Sequence, residues 1–242
     1  MTQCAETRAF TLIETLLSIA IIAVLIGLLS PALASVRTRT RELTSLSTIG
    51  QHAKVFSVYA AHEGGAYPAF VPPAASGSTF VIRGRLYTIN GYFGQVYAWQ
   101  FGLAESHYNG EITGRLFQRP GREPDLVTDY RYSASFMADP AFWNYQGRIG
   151  PSQWRGQRDH AVRYPSSKAI LVDDRIMDRL GDDQPGRGDR GVIALVDGSA
   201  RETSRSDIAA PFPPGDGEWP GSWSSGRRGV HTVDGVFGRD IR

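Results

Sequence analysis

From Phe10 to Leu29 the chain is apolar at nearly every position, with Thr11, Glu14, Thr15 and Ser18 as its polar members. No period of 2 or 3.6 separates a wet face from a dry one, so the cylinder is apolar all round. About 20 residues at ~1.5 Å each cross a hydrocarbon core of ~30 Å, which predicts a membrane-spanning helix. Beyond Pro31 the pattern changes. Val36, Leu43, Leu46, Ile49, Ala53, Phe56 and Ala60 recur three, four or seven apart, while Arg39, Arg41, Glu42, Gln51 and Lys54 take the other faces. That is one apolar stripe on a continuing helix, laid against a folded body. Gly64-Gly65 stops it, with Pro68 and Pro72-Pro73 beyond.

Past the prolines the pattern turns to strands and turns. Phe80-Val81-Ile82 and Leu86-Tyr87-Thr88-Ile89 flank Arg83-Gly84-Arg85 and predict a hairpin. Tyr92 to Phe101, with Val96, Tyr97 and Trp99, reads as another strand, and Leu126 to Phe136 alternates through Tyr130 and Tyr132. Phe142 to Arg163 holds Trp143, Tyr145 and Trp154 among Gly and Arg and reads as a long irregular loop. Lys168 to Asp174 follows a turn as a strand. Gly191 to Val196, the pair Asp197-Gly198 and a return through Ala200 and Arg201 predict a second hairpin with a two-residue type I′ turn. Its first strand is apolar on both faces (Val192, Ala194, Val196 against Ile193, Leu195), so it is expected to be buried rather than an edge. Val233 to Val236 predicts one more turn. The fold class is α+β: a long N-terminal transmembrane and amphipathic helix packed on a β-rich head.

The 242 residues leave enough chain after the apolar segment for one head with a real core. At 41% hydrophobic and 11% aromatic it is a folded protein, and a net charge of +2 with thinly spread cations gives no reason to expect nucleic acid. The single cysteine is Cys4, so no disulfide can close within the chain. Arg37, Arg39 and Arg41 follow the apolar run while Arg8 precedes it, a charge count that by itself places the C-terminal side in the cytoplasm.

Glu14 is the informative exception in the apolar run. A carboxylate there costs about 2.5–3.5 kcal/mol on insertion scales, which calls for a partner charge. Arg8-Ala9-Phe10-Thr11-Leu12-Ile13-Glu14 resembles the N-terminus of type IV pilins and type II secretion pseudopilins. The resemblance implies a leader over 1–9 and cleavage by a prepilin peptidase between Ala9 and Phe10. It also implies N-methylation of Phe10 and pairing of Glu14 with the amino terminus of a neighbouring subunit. Pro31 falls where that family often carries a helix-kinking proline, while Ala9 stands where the family prefers Gly. Residues 10–35 would be the transmembrane assembly helix, 36–64 its soluble continuation and 65–242 the head. His62 to Pro68 resembles the helix exit of the major pseudopilins. Residues 164–202 resemble the C-terminal region of pilin-like processing-associated proteins, with Arg187 in the place of their histidine. The implied function is structural, with sister pilins or pseudopilins and an assembly platform as partners. The implied location is the inner membrane, single-pass, with the head in the periplasm or carried outside in a filament. A secretory signal ending near Pro31-Ala32-Leu33-Ala34-Ser35, or an ordinary single-pass anchor, remains open.

Candidate chemistry is sparse. No nucleophile elbow, Walker loop or His-Glu-x-x-His is present, so no enzyme activity is expected. His52, His62, His107, His160 and His231 stand apart in sequence. Asp173, Asp174, Asp182 and Asp183 sit in an acidic loop of the kind that supplies oxygen ligands to calcium, with Arg175, Arg179, Arg187 and Arg190 as competing partners. Arg187-Gly188-Asp189 spells an adhesion tripeptide that arises readily in such a loop. Trp219, Trp223, Arg227 and Arg228 set aromatics near cations. The rival to a structural subunit is a membrane- or filament-held binding module that recognises an extracellular polymer through the aromatic middle.

Overall fold

The computed structural model describes residues 12–177, 190–210, 212 and 229–241. It divides into two units, Met1–Arg41 and Glu42–Arg242. Helix α1 (Leu12–His62) contributes to both and runs 51 residues, about 75 Å at the usual rise. It continues through Pro31, whose ring leaves no N–H for the carbonyl of Gly27. Its end is the one expected. Gly64 and Gly65 take positive φ, and the Gly65 amide reaches back to the Ala60 carbonyl at 2.7 Å, closing the last turn.

The stripe on α1 is real but starts later than its sequence pattern. Ile49, His52, Ala53, Phe56 and Ala60 are buried, together with Ser45 and Thr48, whereas Val36 and Leu43 remain exposed. Arg83-Gly84 joins β1 (Gly77–Ile82) to β2 (Arg85–Asn90), antiparallel with Ile82 opposite Arg85. Both turn residues have positive φ, the type I′ requirement.

Residues 92–107 correct the sequence reading. They form a 3₁₀ turn, then α2 (Gln95–Ala98) and α3 (Gln100–His107), and not a strand. The buried positions are Tyr92, Phe93, Gln95, Val96, Trp99, Gln100, Phe101, Leu103 and Ala104, and the set 92, 95, 96, 99, 100, 103 and 104 repeats at steps of three and four. Helical spacing overrides the β-propensity of the aromatics. Similarly, Leu126–Phe136 shortens to β3 (Tyr130–Tyr132), followed by a 3₁₀ turn at Ala134–Phe136. The Trp-rich stretch is built from 3₁₀ turns at Pro140–Trp143, Pro151–Gln153 and Asp159–Ala161. It is packed inward, with Phe142 and Trp143 buried.

The main sheet is antiparallel, in the order β3, β4 (Ala169–Asp173), β5 (Arg190–Leu195), β6 (Ala200–Ser204). β5 lies centrally and is buried on both faces from Gly191 to Leu195, as its two apolar faces require. The core joins this sheet to α1 through aromatic rings: Phe56 meets Trp99 at 5.1 Å and Tyr132 at 4.8 Å between centroids. On the open side of β3, the Tyr130 carbonyl accepts from the Trp99 indole at 2.8 Å, and the Tyr130 amide donates to the Thr128 hydroxyl at 3.1 Å.

Candidate functional site

The residues proposed for assembly lie on the first unit. Ala9 and Phe10 fall outside the described residues. Glu14 sits in the first turn of α1, where a carboxylate complements the positive end of the helix dipole, and its carbonyl accepts from the Ser18 hydroxyl at 2.8 Å. Around it Leu12, Ile13, Leu16, Leu17, Ile21 and Ile22 are all exposed. This helix is long and apolar enough to cross a bilayer, and its most apolar window is wholly unburied within the chain. Apolar surface on every face needs lipid or other apolar helices as its solvent.

The acidic candidates sort differently. Asp182 and Asp183 fall outside the described residues, as do Arg187, Trp219, Trp223, Arg227 and Arg228. Asp173 ends β4 and is fully buried. Its Oδ2 accepts from Arg175 Nη2 at 2.7 Å and Nε at 3.0 Å, and Arg119 Nη1 stands 3.6 Å from its Oδ1. Arg119 also reaches the buried Asp129 at 3.4 Å, and Arg122 donates to the same carboxylate at 2.6 Å. Asp174 lies 3.4 Å from Arg131. Calcium at Asp173 would have to displace the Arg175 guanidinium from Oδ2 and the Arg175 amide, 2.9 Å away, from Oδ1, and at Asp174 it would compete with the Arg131 charge. No group of three His, Cys, Asp or Glu able to hold a metal occurs among the described residues.

The Asp-Gly turn is real but of another kind. Gly198 has φ 84, whereas Asp197 is not among the residues of positive φ, so a type I′ turn is excluded here. The Gly198 amide donates to the Leu195 carbonyl at 3.1 Å, and the Leu195 amide donates to Ser199 at 2.8 Å. These bonds enclose a three-residue loop with the left-handed residue last, the bulged hairpin. Asp197 Oδ1 accepts from the Ser199 amide at 2.9 Å and its hydroxyl at 2.6 Å, locking the turn. The acid acts as a turn former, the commonest use of Asp at such a place.

Two buried polar centres carry no sequence motif. His52, one of the histidines that stand apart in sequence, is fully enclosed by Trp99, Phe117, Tyr108 and Tyr130. Its Nε2 lies 2.6 Å from the Leu116 carbonyl and its Nδ1 2.7 Å from the Tyr108 hydroxyl. A carbonyl only accepts, so Nε2 carries the proton and Nδ1 accepts from the phenol. Burial pushes the imidazole pKa down to about 4 against a weaker upward pull from the Leu116 carbonyl.

The second centre is Lys168, fully buried at the start of β4. Its Nζ lies 3.0 Å from Asp240 Oδ2 and also donates to the Thr232 hydroxyl. Thr232 in turn donates to Asp240 Oδ1 at 2.5 Å, and the Ala169 amide donates to Oδ2 at 2.8 Å. One signal was available in the sequence: only Lys54 and Lys168 are lysines in a chain with 26 Lys+Arg. The partners, far along the chain, carried none.

The aromatic middle is mostly interior. Trp99, Phe117, Tyr130, Tyr132, Phe136 and Trp143 are buried, while Tyr145 is exposed. No protein-family model matches this chain, and no curated protein or solved structure matches it significantly.

Proposed function

We propose that this chain is a pilin-like or pseudopilin-like structural subunit of a type IV pilus or type II secretion pseudopilus, assembled through its N-terminal helix. What carries the reading is one juxtaposition: a helix apolar on every face, long enough to cross a bilayer, with a carboxylate in its first turn. Such a helix is stored in the inner membrane and then transferred to a bundle of like helices. Glu14 neutralises the amino group of a neighbouring Phe10 there. A buried carboxylate is costly when alone and tolerable when paired, so the pairing also selects axial register. Ser18, Ala20, Ala23 and Gly27 permit close helix approach. Prepilin peptidase, sister subunits and an assembly platform with its ATPase are the partners of this reading, and the head faces the periplasm. The rival reading, polymer recognition through the aromatic middle, is weakened because most of those rings are core.

Mass spectrometry of the mature amino terminus tests the proposal. The expected outcome is a chain starting at N-methylated Phe10. A chain retaining Met1, or starting near Ser35, overturns it.

A further inference from the structure

We propose that Lys168 and Asp240 condense to an intramolecular isopeptide bond, a self-formed amide tying the start of β4 to the C-terminal segment. The argument rests on the head alone and is independent of the assembly reading. Lysine, unlike arginine, carries an amine that becomes nucleophilic once neutral. In this arginine-dominated chain a lysine occupies the fully buried position, 3.0 Å from a carboxylate that is itself 1% exposed. The Phe136 ring lies beneath it, 5.9 Å from Nζ to the centroid.

Both backbones are pinned, so the reacting groups have little freedom to part. The Asp240 amide donates to the Ser167 carbonyl at 2.8 Å, and the Asp240 carbonyl accepts from Ala209 at 2.6 Å. The Lys168 carbonyl accepts from the Val196 amide at 3.0 Å. Fixed proximity of this kind is what lets an intramolecular condensation proceed where the bimolecular one does not. Burial pushes the Lys168 pKa down, although Asp240 pulls it up, so the net direction favours the amine.

The two carboxylate oxygens are held differently, and each arrangement suits one half of the step. Oδ2 receives the Ala169 N–H, a donor placed to stabilise charge developing on the oxygen that stays. Oδ1 receives the Thr232 hydroxyl, which also accepts from Nζ and so connects amine to leaving oxygen. The ammonium first gives one proton, through the Thr232 hydroxyl, to Oδ1, the oxygen that will leave. The amine lone pair then attacks Cγ, forming Nζ–Cγ. A second amine proton passes through the Thr232 hydroxyl to Oδ1, and the Cγ–Oδ1 bond breaks. The products are one amide and one water, and no oxidant, reductant or further reactant is required.

Denaturing mass spectrometry of the purified full chain, with a tryptic map, decides the matter. The expected wild-type mass is lower by one water, about 18 Da, once the amino terminus is assigned. Trypsin should then release Asp240-Ile241-Arg242 joined to the peptide from Tyr164 to Arg175, uncut at Lys168. Lys168→Arg should restore the full mass. Thr232→Val, which keeps both reacting groups, should accumulate unlinked chain. A wild-type chain at full mass, yielding a linear peptide that ends at Lys168, overturns the proposal. Thr232→Val linked as completely as the wild type overturns the proton relay.

Discussion

Lowering the pH from 7.5 to 5 attacks the head at His52. The imidazole is neutral, fully buried and satisfied at both nitrogens, by the Leu116 carbonyl and the Tyr108 hydroxyl. Protonation would place a second donor against the phenol and a charge among Trp99, Phe117 and Tyr130. The folded pKa is about 4, against 6.5 for a solvent-exposed imidazole. Because the folded value is depressed, this contribution is fully present above pH 6.5. It is lost as pH falls toward 4, where the unfolded chain takes up the proton and the folded one resists. Linkage gives about 2 kcal/mol lost by pH 5 and about 3 kcal/mol by pH 4. A soluble fragment beginning at Arg37 provides the assay, since the unit boundary lies at Arg41/Glu42. It should unfold cooperatively in urea when followed by tryptophan fluorescence. His52→Phe should be less stable at pH 7.5, because it strands the Leu116 carbonyl and Tyr108 hydroxyl. It should nevertheless lose about 2 kcal/mol less than the parent between pH 7.5 and 5, since titrations common to both proteins cancel in the difference. Parallel pH dependences would refute the reasoning, and a fragment without a cooperative transition would refute an independent head.

Two further perturbations separate assembly from folding. Glu14→Ala should leave membrane insertion intact or improve it by about 2.5–3.5 kcal/mol, while filament assembly scored by shearing and immunoblot fails or slows; normal assembly would remove the pairing argument. Gly198→Val adds no clash, as nothing lies within 4 Å of its added Cβ, but forces a branched residue to φ 84. It should lower head stability by about 1–3 kcal/mol in thermal melts, and a parent-like melt would contradict the left-handed turn.

The elements legible in the sequence are those in which one local rule acts alone. The Gly64-Gly65 stop, the Arg83-Gly84 hairpin and the buried β5 each follow from glycine placement or from two apolar faces. Residues 92–107 were not legible because two rules compete there, aromatic β-propensity against helical spacing, and packing chose the second. Asp197-Gly198 announced a turn correctly but not its loop length, which the Leu195–Ser199 pairing fixes. His52 and Lys168 escaped because their partners lie 56 to 72 positions away (52 to 108, and 168 to 240). Only the folded chain brings those partners into contact.

The occupied backbone at Tyr130, on the margin of the main sheet, has a consequence for crowding. An open strand is an invitation to any neighbour with an extended segment, and the hazard grows with local concentration. At β3 both outward backbone groups of Tyr130 are already engaged, by Trp99 and Thr128. At the opposite margin β6 exposes Arg201 and is short. Occupied at Tyr130 and charged at Arg201, the two margins are poor templates for a neighbour's strand, which leaves recognition of any neighbour to other surfaces of the molecule.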